Sequence, residues 1–590
     1  MGDTDSSEIS GDIASKVLAV DELQTFNGRL YWIESDREGA SIASWSPQDA
    51  KVTRDPFDVG SAAHSYGGGS FAVTALGLLA VASDTGQIWN VTSNTQVTDR
   101  PGQLGALALS EDGILAVCDN GTSDELLEID PASGATRTIH RAPFLASPVV
   151  NGTRIAWAQW PEDAAPWNHC EIWSADYVPG EGLSSPTLLA GGPEESAVEP
   201  KWGPDGHLYF LSDRTGWWNL YRWHSGKVEP VAPVEADCAA APWELGYSSY
   251  AFLETGRVAM LARKGPPARL LIGAPDAVPR EIPIPFTSIK PYLAALGDRV
   301  AIIGSSPSSP AQIALIDPEH SQDPALVRSS ESQIQPPSAE SEIHTFESGG
   351  TPITLVWHPP SGYMQGPVPT IIRAHPGPTH HVEMRLDADL WYYTEQGFAV
   401  IDVDYRGSTG YGRAFRHSLY GHWGDFDAVD CANAARWALA TGRTTSGEVF
   451  LIGASAGGFT ALNAACLSDN PFTLAVARSA IVDPAQWAEA TPRFHRPNAR
   501  ALGGTPIEAD RVNIPVLLIH GDDDKVVPVD DVLELADGLR DNGKQVELLR
   551  FPDGGHYLSS AKVKTSVLEA EVDAFRAALN RSGTSPTTTE

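Results

Sequence analysis

Basic residues are scarce in this chain: 41 Lys and Arg stand against 75 Asp and Glu, a formal net charge of -34 over 590 residues. A surface so acidic repels polyanions, which argues against nucleic acid and anionic membrane surfaces as partners. Cysteine is scarce too. Cys118, Cys170, Cys238, Cys431 and Cys466 form an odd, scattered set with no C-x-x-C pair, so neither a disulfide framework nor a zinc site is expected, and buried free thiols are. Long apolar runs are missing: residues 71–82 are among the most apolar and are too short to span a bilayer. The first fifteen residues are polar and acidic, without the basic-then-apolar order of a secretory leader. A cytoplasmic protein is the expectation, long enough for two or more domains.

Sustained helical periodicity is also absent from residues 16–328. Short apolar runs such as Leu30-Tyr31-Trp32-Ile33, Ile155-Ala156-Trp157 and Leu208-Tyr209-Phe210-Leu211 alternate there with Gly, Asp, Asn, Pro and Ser, often just after turns such as Glu111-Asp112-Gly113 or Pro204-Asp205-Gly206. Many short strands at near-regular spacing over more than 300 residues point to an all-β propeller with four-stranded blades of roughly 40 to 50 residues. The repeats are too degenerate to count the blades. Residues 329–342, rich in Ser, Gln, Pro and Glu, read as a linker. From 343 to 581 strands and helices alternate, which means a mostly parallel sheet with helices on both faces; the serine elbow described next is what makes an α/β-hydrolase domain the expectation. The ends, 1–15 and 582–590, are expected to be disordered.

Leu451-Ile452-Gly453-Ala454-Ser455-Ala456-Gly457-Gly458 reads as a strand end, a serine at a sharp elbow and a helix start. In G-x-S-x-G the glycines are needed because side chains there would collide with neighbouring backbone. An acid and a histidine should follow in that order. Three adjacent aspartates, Asp522, Asp523 and Asp524, come after the strand ending at His520, and His556 sits in a Gly-rich loop after the last strand. A serine hydroxyl is a weak nucleophile, so His556 would take its proton and one aspartate would hold the imidazole in the right tautomer.

Four motifs together resemble the prolyl oligopeptidase family of serine peptidases, in particular its acylaminoacyl-peptidase and dipeptidyl-aminopeptidase-like branch. They are Tyr405-Arg406-Gly407-Ser408-Thr409-Gly410-Tyr411-Gly412, the run Gly421-His422-Trp423-Gly424-Asp425-Phe426-Asp427-Ala428-Val429-Asp430, the elbow, and the H-G-x-x-D-x-x-V-P run that begins at His520. The first half is similar to the family's propeller, for example at Ser212-Asp213-Arg214-Thr215-Gly216-Trp217-Trp218. The resemblance implies Asp524 as the acid beside Ser455 and His556. It implies an oxyanion hole from the backbone N–H groups of Gly377 and Ala456, and no metal or organic cofactor. The family's H-G-G-P stretch stands here as His375-Pro376-Gly377-Pro378; proline has no N–H, but the donor carried over is Gly377. A second departure lies between Thr491 and Asn513, where the family's longer pocket segment is shortened around Pro492-Arg493-Phe494-His495-Arg496-Pro497.

The implied substrate is a short peptide or small aminoacyl conjugate, hydrolysed by an aminopeptidase or acylaminoacyl-peptidase. Two alternatives stand beside it: an amidase or esterase for a specialised small molecule such as an aminoacylated antibiotic, and a catalytically silent propeller scaffold that binds a partner protein. Glu162, Glu199, Asp237 and Glu244 are candidates for holding a substrate α-ammonium. Arg406, Asp430 and the aromatics Trp391-Tyr392-Tyr393 read as structural. Homo-oligomerisation is left open.

Overall fold

The computed structural model describes residues 18–36, 39–55, 57–110, 113–329 and 340–581. Both expected disordered ends, most of the expected linker and the Glu111-Asp112 turn lie outside the described residues.

Seven antiparallel sheets, each built from consecutive strands, occupy residues 19–55, 71–96, 103–142, 144–191, 197–230, 250–282 and 288–329. They are the blades of a propeller. Six have four strands and the last has five. The Pro204-Asp205-Gly206 turn joins the first hairpin of the fifth blade, in which Ala197–Trp202 pairs with Leu208–Ser212. Apolar side chains close the ring: Val20, Leu23, Leu30 and Trp32 of the first blade share one buried cluster with Ala301, Ile303, Ile313 and Leu315 of the seventh. The blade number is thus set by how many sheets this packing admits, which no single repeat encodes.

The second half is one eight-stranded sheet. In chain order its strands are β1 (Glu342–Ser348), β2 (Thr351–His358), β3 (Thr370–Ala374), β4 (Ala399–Asp404), β5 (Val449–Ala454), β6 (Leu474–Arg478), β7 (Val516–Gly521) and β8 (Val546–Phe551). Their order in space is β1-β2-β4-β3-β5-β6-β7-β8, antiparallel up to the β2–β4 pair and parallel from there on. The central strands are buried on both faces, Ala399–Asp404 throughout, hence their unbroken apolar character. Strand β1 is mostly exposed and polar, as an edge strand should be.

The helices are α1 (Ala388–Glu395), α2 (Gly412–His417), α3 (Phe426–Ala440), α4 (Ala456–Ala465), α5 (Pro484–Ala490), α6 (Arg496–Leu502), α7 (Asp530–Asp541) and α8 (Ala561–Arg581). One face of the sheet packs on α3 and α4, through Ala428, Ala432, Phe459 and Leu462. The other packs on α1 and α8, through Trp391, Tyr393, Leu568 and Phe575, so the Trp391-Tyr392-Tyr393 run is core. Helix α6 lies in the shortened segment and α5 immediately precedes it. No described helix is long and apolar enough to cross a membrane.

The two domains are joined by buried charge. Asp213 of the propeller, fully buried, meets Arg413 at 2.8 Å and Arg416 at 2.5 Å. Asp237 accepts the N–H groups of Gly410 (3.0 Å) and Gly412 (3.2 Å). The Tyr405–Gly412 motif therefore serves the domain interface. Arg406 and Asp430 form a buried two-contact pair at 2.7 and 3.0 Å and hold α3 against the loop after β4.

Candidate active site

Ser455 stands between β5 and α4 with φ 54° and ψ -118°, a conformation a non-glycine residue rarely adopts. Close packing enforces it. A Cβ on Gly453 would overlap the Gly457 carbonyl, and one on Gly457 would overlap the Ala374 carbonyl of β3. The Ser455 N–H donates to the Arg478 carbonyl at the end of β6 (2.9 Å). The elbow is thus pinned by strands on either side.

Among the three aspartates the geometry is selective. Asp524 Oδ2 lies 2.7 Å from His556 Nδ1, and Oδ1 accepts the N–H groups of Val526 (2.9 Å) and Val527 (2.8 Å). Burial pushes its carboxyl upward, but the His556 hydrogen bond and charge with the two backbone donors outweigh this and hold it below the usual carboxylate range. Asp522 instead meets Arg550 at 2.8 Å and Asp523 meets Lys525 at 2.5 Å. His556 is anchored through its backbone, since Ser479 Oγ donates to its carbonyl at 2.9 Å. Sequence reasoning passed over Ser479; its place one residue beyond β6, beside the elbow strand, is the signal that could have found it. Ser455 and His556 line one cavity, and no hydrogen bond joins them among the described residues. Such bonds often tighten only when substrate arrives.

Gly377 also lines the cavity. Its φ of +124° suits glycine, and an added Cβ would come within 2.9 Å of the Thr379 nitrogen. The preceding loop is held by His375, whose ring stacks on Tyr405 (4.2 Å, 15°) and whose Nε2 meets Ser408 Oγ at 2.8 Å. Burial pushes His375 down to about 3, so it is neutral. The backbone N–H groups of Gly377 and of Ala456, the first residue of α4, have no acceptor among the described residues. The chain therefore brings together Ser455, Asp524, His556 and Gly377, with Ala456 next to the serine.

The cavity has a volume of about 580 Å³ and is walled by both domains. The propeller contributes Tyr66, Trp243, Glu244 and Tyr292, and the hydrolase domain adds Glu383, Trp487 and His495. Of the four carboxylates singled out above, Glu244 lines this space and accepts from Tyr292 Oη at 2.8 Å; burial raises its pKa. Glu199 is spent on Ser249 and Asp237 on the domain interface, while Glu162 is exposed and lies outside the cavity lining. Glu383 also faces the cavity and was missed. Burial raises its carboxyl, but Arg385 and other cations outweigh this and hold it at about 2. Nothing in its local sequence marks it.

His64, Asp119 and Asp124 cluster as a metal site would. Their charge is instead met by Arg493, 2.8 Å from Asp119 and 2.6 Å from Asp124, and the donor set fits a domain clasp rather than a resident cation.

The architecture is a seven-bladed propeller packed on an α/β-hydrolase-type domain, with a serine elbow and a histidine lining the cavity between them and an aspartate hydrogen-bonded to that histidine. Residues 384–582 match the model of the prolyl oligopeptidase family. The acylamino-acid-releasing enzyme of Mus musculus is 30% identical over 217 residues, 34% of this chain and 30% of that protein. Dipeptidyl aminopeptidase BIII of Pseudoxanthomonas mexicana is 26% identical over 220 residues, 33% of this chain and 31% of that one. The chain thus spans about 30% of the length of the curated relatives it matches. Over nearly the whole chain it resembles the solved structure of a Mycobacterium tuberculosis puromycin-hydrolyzing peptidase, with 27% identity, a TM-score of 0.89 and coverage of 97% of this chain and 96% of that one.

Proposed function

We propose that this protein is a serine-type hydrolase that cleaves the amide bond of short peptides or small aminoacyl conjugates through an acyl-enzyme on Ser455. The observation that carries the reading is the Asp524–His556 hydrogen bond beside the strained Ser455 elbow, in a cavity closed by the propeller. His556 takes the Ser455 proton as Oγ attacks the carbonyl. Asp524 orients the imidazole and stabilises its cation, and Gly377 and Ala456 donate their N–H groups to the developing oxyanion. The imidazolium then protonates the leaving amine, and water repeats the cycle to release the acid. The chemistry asks for no metal or organic cofactor.

A volume of 580 Å³ admits a small ligand and excludes a folded chain. Glu244 faces this space and offers a carboxyl group to a free α-ammonium, which favours an aminopeptidase. The likeness to a puromycin-hydrolyzing peptidase along the whole chain favours a second substrate class, an aminoacylated small molecule. Five free cysteines suit a reducing, cytoplasmic setting.

The test is hydrolysis of chromogenic amides carrying free aminoacyl, N-acylaminoacyl, dipeptidyl and prolyl groups, by wild type and Ser455→Ala. Turnover of free aminoacyl amides, lost in the variant, is the expected result. Absence of amide cleavage with a fluorophosphonate still labelling Ser455 would leave only the esterase alternative, and absence of labelling would restore the silent scaffold.

A further inference from the structure

Ser455 and His556 line one cavity with no hydrogen bond between them among the described residues, so their separation is set by what holds their backbones. Both are held by one dipeptide. Arg478, the last residue of β6, accepts the Ser455 N–H on its carbonyl at 2.9 Å. Its neighbour Ser479 donates its hydroxyl to the His556 carbonyl, also at 2.9 Å.

This clamp has a fixed end. The Arg478 guanidinium donates to both carboxylate oxygens of Glu571, which is fully buried on α8, and to Asp389 of α1 at 2.8 Å and Tyr393 Oη at 2.6 Å. A two-pronged bond of this kind fixes orientation as well as position. Ser479 is 2% exposed, has φ 42° and donates its N–H to the Ile519 carbonyl of β7 at 2.8 Å. A left-handed backbone at a non-glycine residue persists only where the surroundings over-determine it.

The histidine loop has the opposite character. Of residues 552–559 only Gly554 and Leu558 are buried. The Gly554 carbonyl accepts the Asp523 N–H at 3.0 Å, but among the described residues no hydrogen bond other than that of Ser479 reaches the backbone of His556. Asp524 orients the imidazole and leaves open how far the loop stands from Ser455.

We propose that Ser479 is a positioning residue for hydrolysis: its hydroxyl ties the His556 backbone to the fixed end of β6 and so keeps the imidazole within reach of the Ser455 hydroxyl. The inference deepens the reading above and rests on Ser455 and His556 acting as nucleophile and base. Proton transfer needs near-contact, and a misplacement of about 1 Å costs on the order of 100-fold. Ser479 also lines the cavity, so the test separates a contact with substrate from an effect carried by His556.

kcat and KM are measured with a 4-nitrophenyl ester, which forms an acyl-enzyme whether or not amides are cleaved. The proteins are wild type, Ser479→Ala and Ser479→Gly, each also in a His556→Ala background, with Tm as the check on folding. Glycine suits a φ of 42°, so Ser479→Gly removes the hydroxyl without adding strain. Expected in both variants is a kcat loss of roughly 10- to 100-fold with KM within about twofold. Neither should lower the residual rate of His556→Ala further, because residues that act as a unit are not additive. Wild-type kcat in Ser479→Gly overturns the proposal. So does a loss confined to KM, or one of equal size with and without His556, either of which makes Ser479 a wall of the cavity. Full activity in His556→Ala would overturn the triad reading itself, and with it any role of Ser479 through that histidine.

Discussion

Asp524 holds His556 Nδ1 at 2.7 Å with one carboxylate oxygen while the other is occupied by two backbone N–H groups of its own loop. The carboxylate has no rotational freedom left, so the imidazole is held in one orientation. Asp524→Asn should lower kcat by a factor on the order of 10⁴, through loss of the orienting charge and a wrong tautomer. Asp522→Asn and Asp523→Asn should stay within about threefold, because their carboxylates meet Arg550 and Lys525. Steady-state kinetics on one chromogenic amide separates the three.

The proposed oxyanion hole makes opposite demands on neighbouring residues. Gly377→Ala introduces a Cβ at a φ of +124°, 2.9 Å from the Thr379 nitrogen, and should reduce kcat by about 10²- to 10³-fold as the donor moves away. Pro376→Gly removes no donor and should leave kcat within a few-fold. Equal losses in both would show that the donor is not Gly377.

At the elbow, Gly453→Ala should be lost as soluble, labelled enzyme. Its Cβ would overlap the Gly457 carbonyl, and neither β5 nor α4 can retreat from a position packed on both sides. Fluorophosphonate labelling of the soluble fraction measures this directly.

The domain interface depends on Asp213. Asp213→Asn leaves Arg416, fully buried against Trp218 at 3.8 Å, without its partner charge. A cost of about 3–5 kcal/mol is expected, read as a lower Tm and as faster proteolysis between the domains.

Asp427, fully buried, has its pKa raised to about 7, chiefly by desolvation, although Thr460 Oγ1 and the Gly424 N–H donate to it. Between its unfolded pKa near 4 and pH 7 the folded protein binds more protons than the unfolded chain, so this group's contribution to stability falls as pH rises through that window and levels off above it. Asp427→Asn lacks the term. The variant should therefore gain on wild type by on the order of 2–4 kcal/mol between pH 4 and pH 8 in denaturant titrations; a pH-independent difference would show that Asp427 is ionised in the fold.

The order strand, serine elbow, acid, histidine was legible because each lies at the end of an apolar strand, and the backbone strain at Ser455 leaves a glycine signature that local sequence must carry. The change in texture between the halves was legible for a similar reason: strand and helix periodicities are local. Choosing Asp524 over its neighbours required family register, and the structure explains the choice by which carboxylate the β7 loop turns toward His556. The seven blades, helices α5 and α6, Ser479 behind His556 and the pairing of Arg493 with Asp119 and Asp124 were not legible, because each depends on contacts between residues far apart in the chain. By itself the sequence determined the order of the two halves and the candidate residues Ser455 and His556 with a neighbouring aspartate, which rest on short-range periodicity and on glycines that close packing requires. Only the tertiary structure decided what surrounds Ser455, since Glu244, Glu383 and His495 enter one cavity from separate elements and separate domains, and their charge and burial arise only when those elements are packed together.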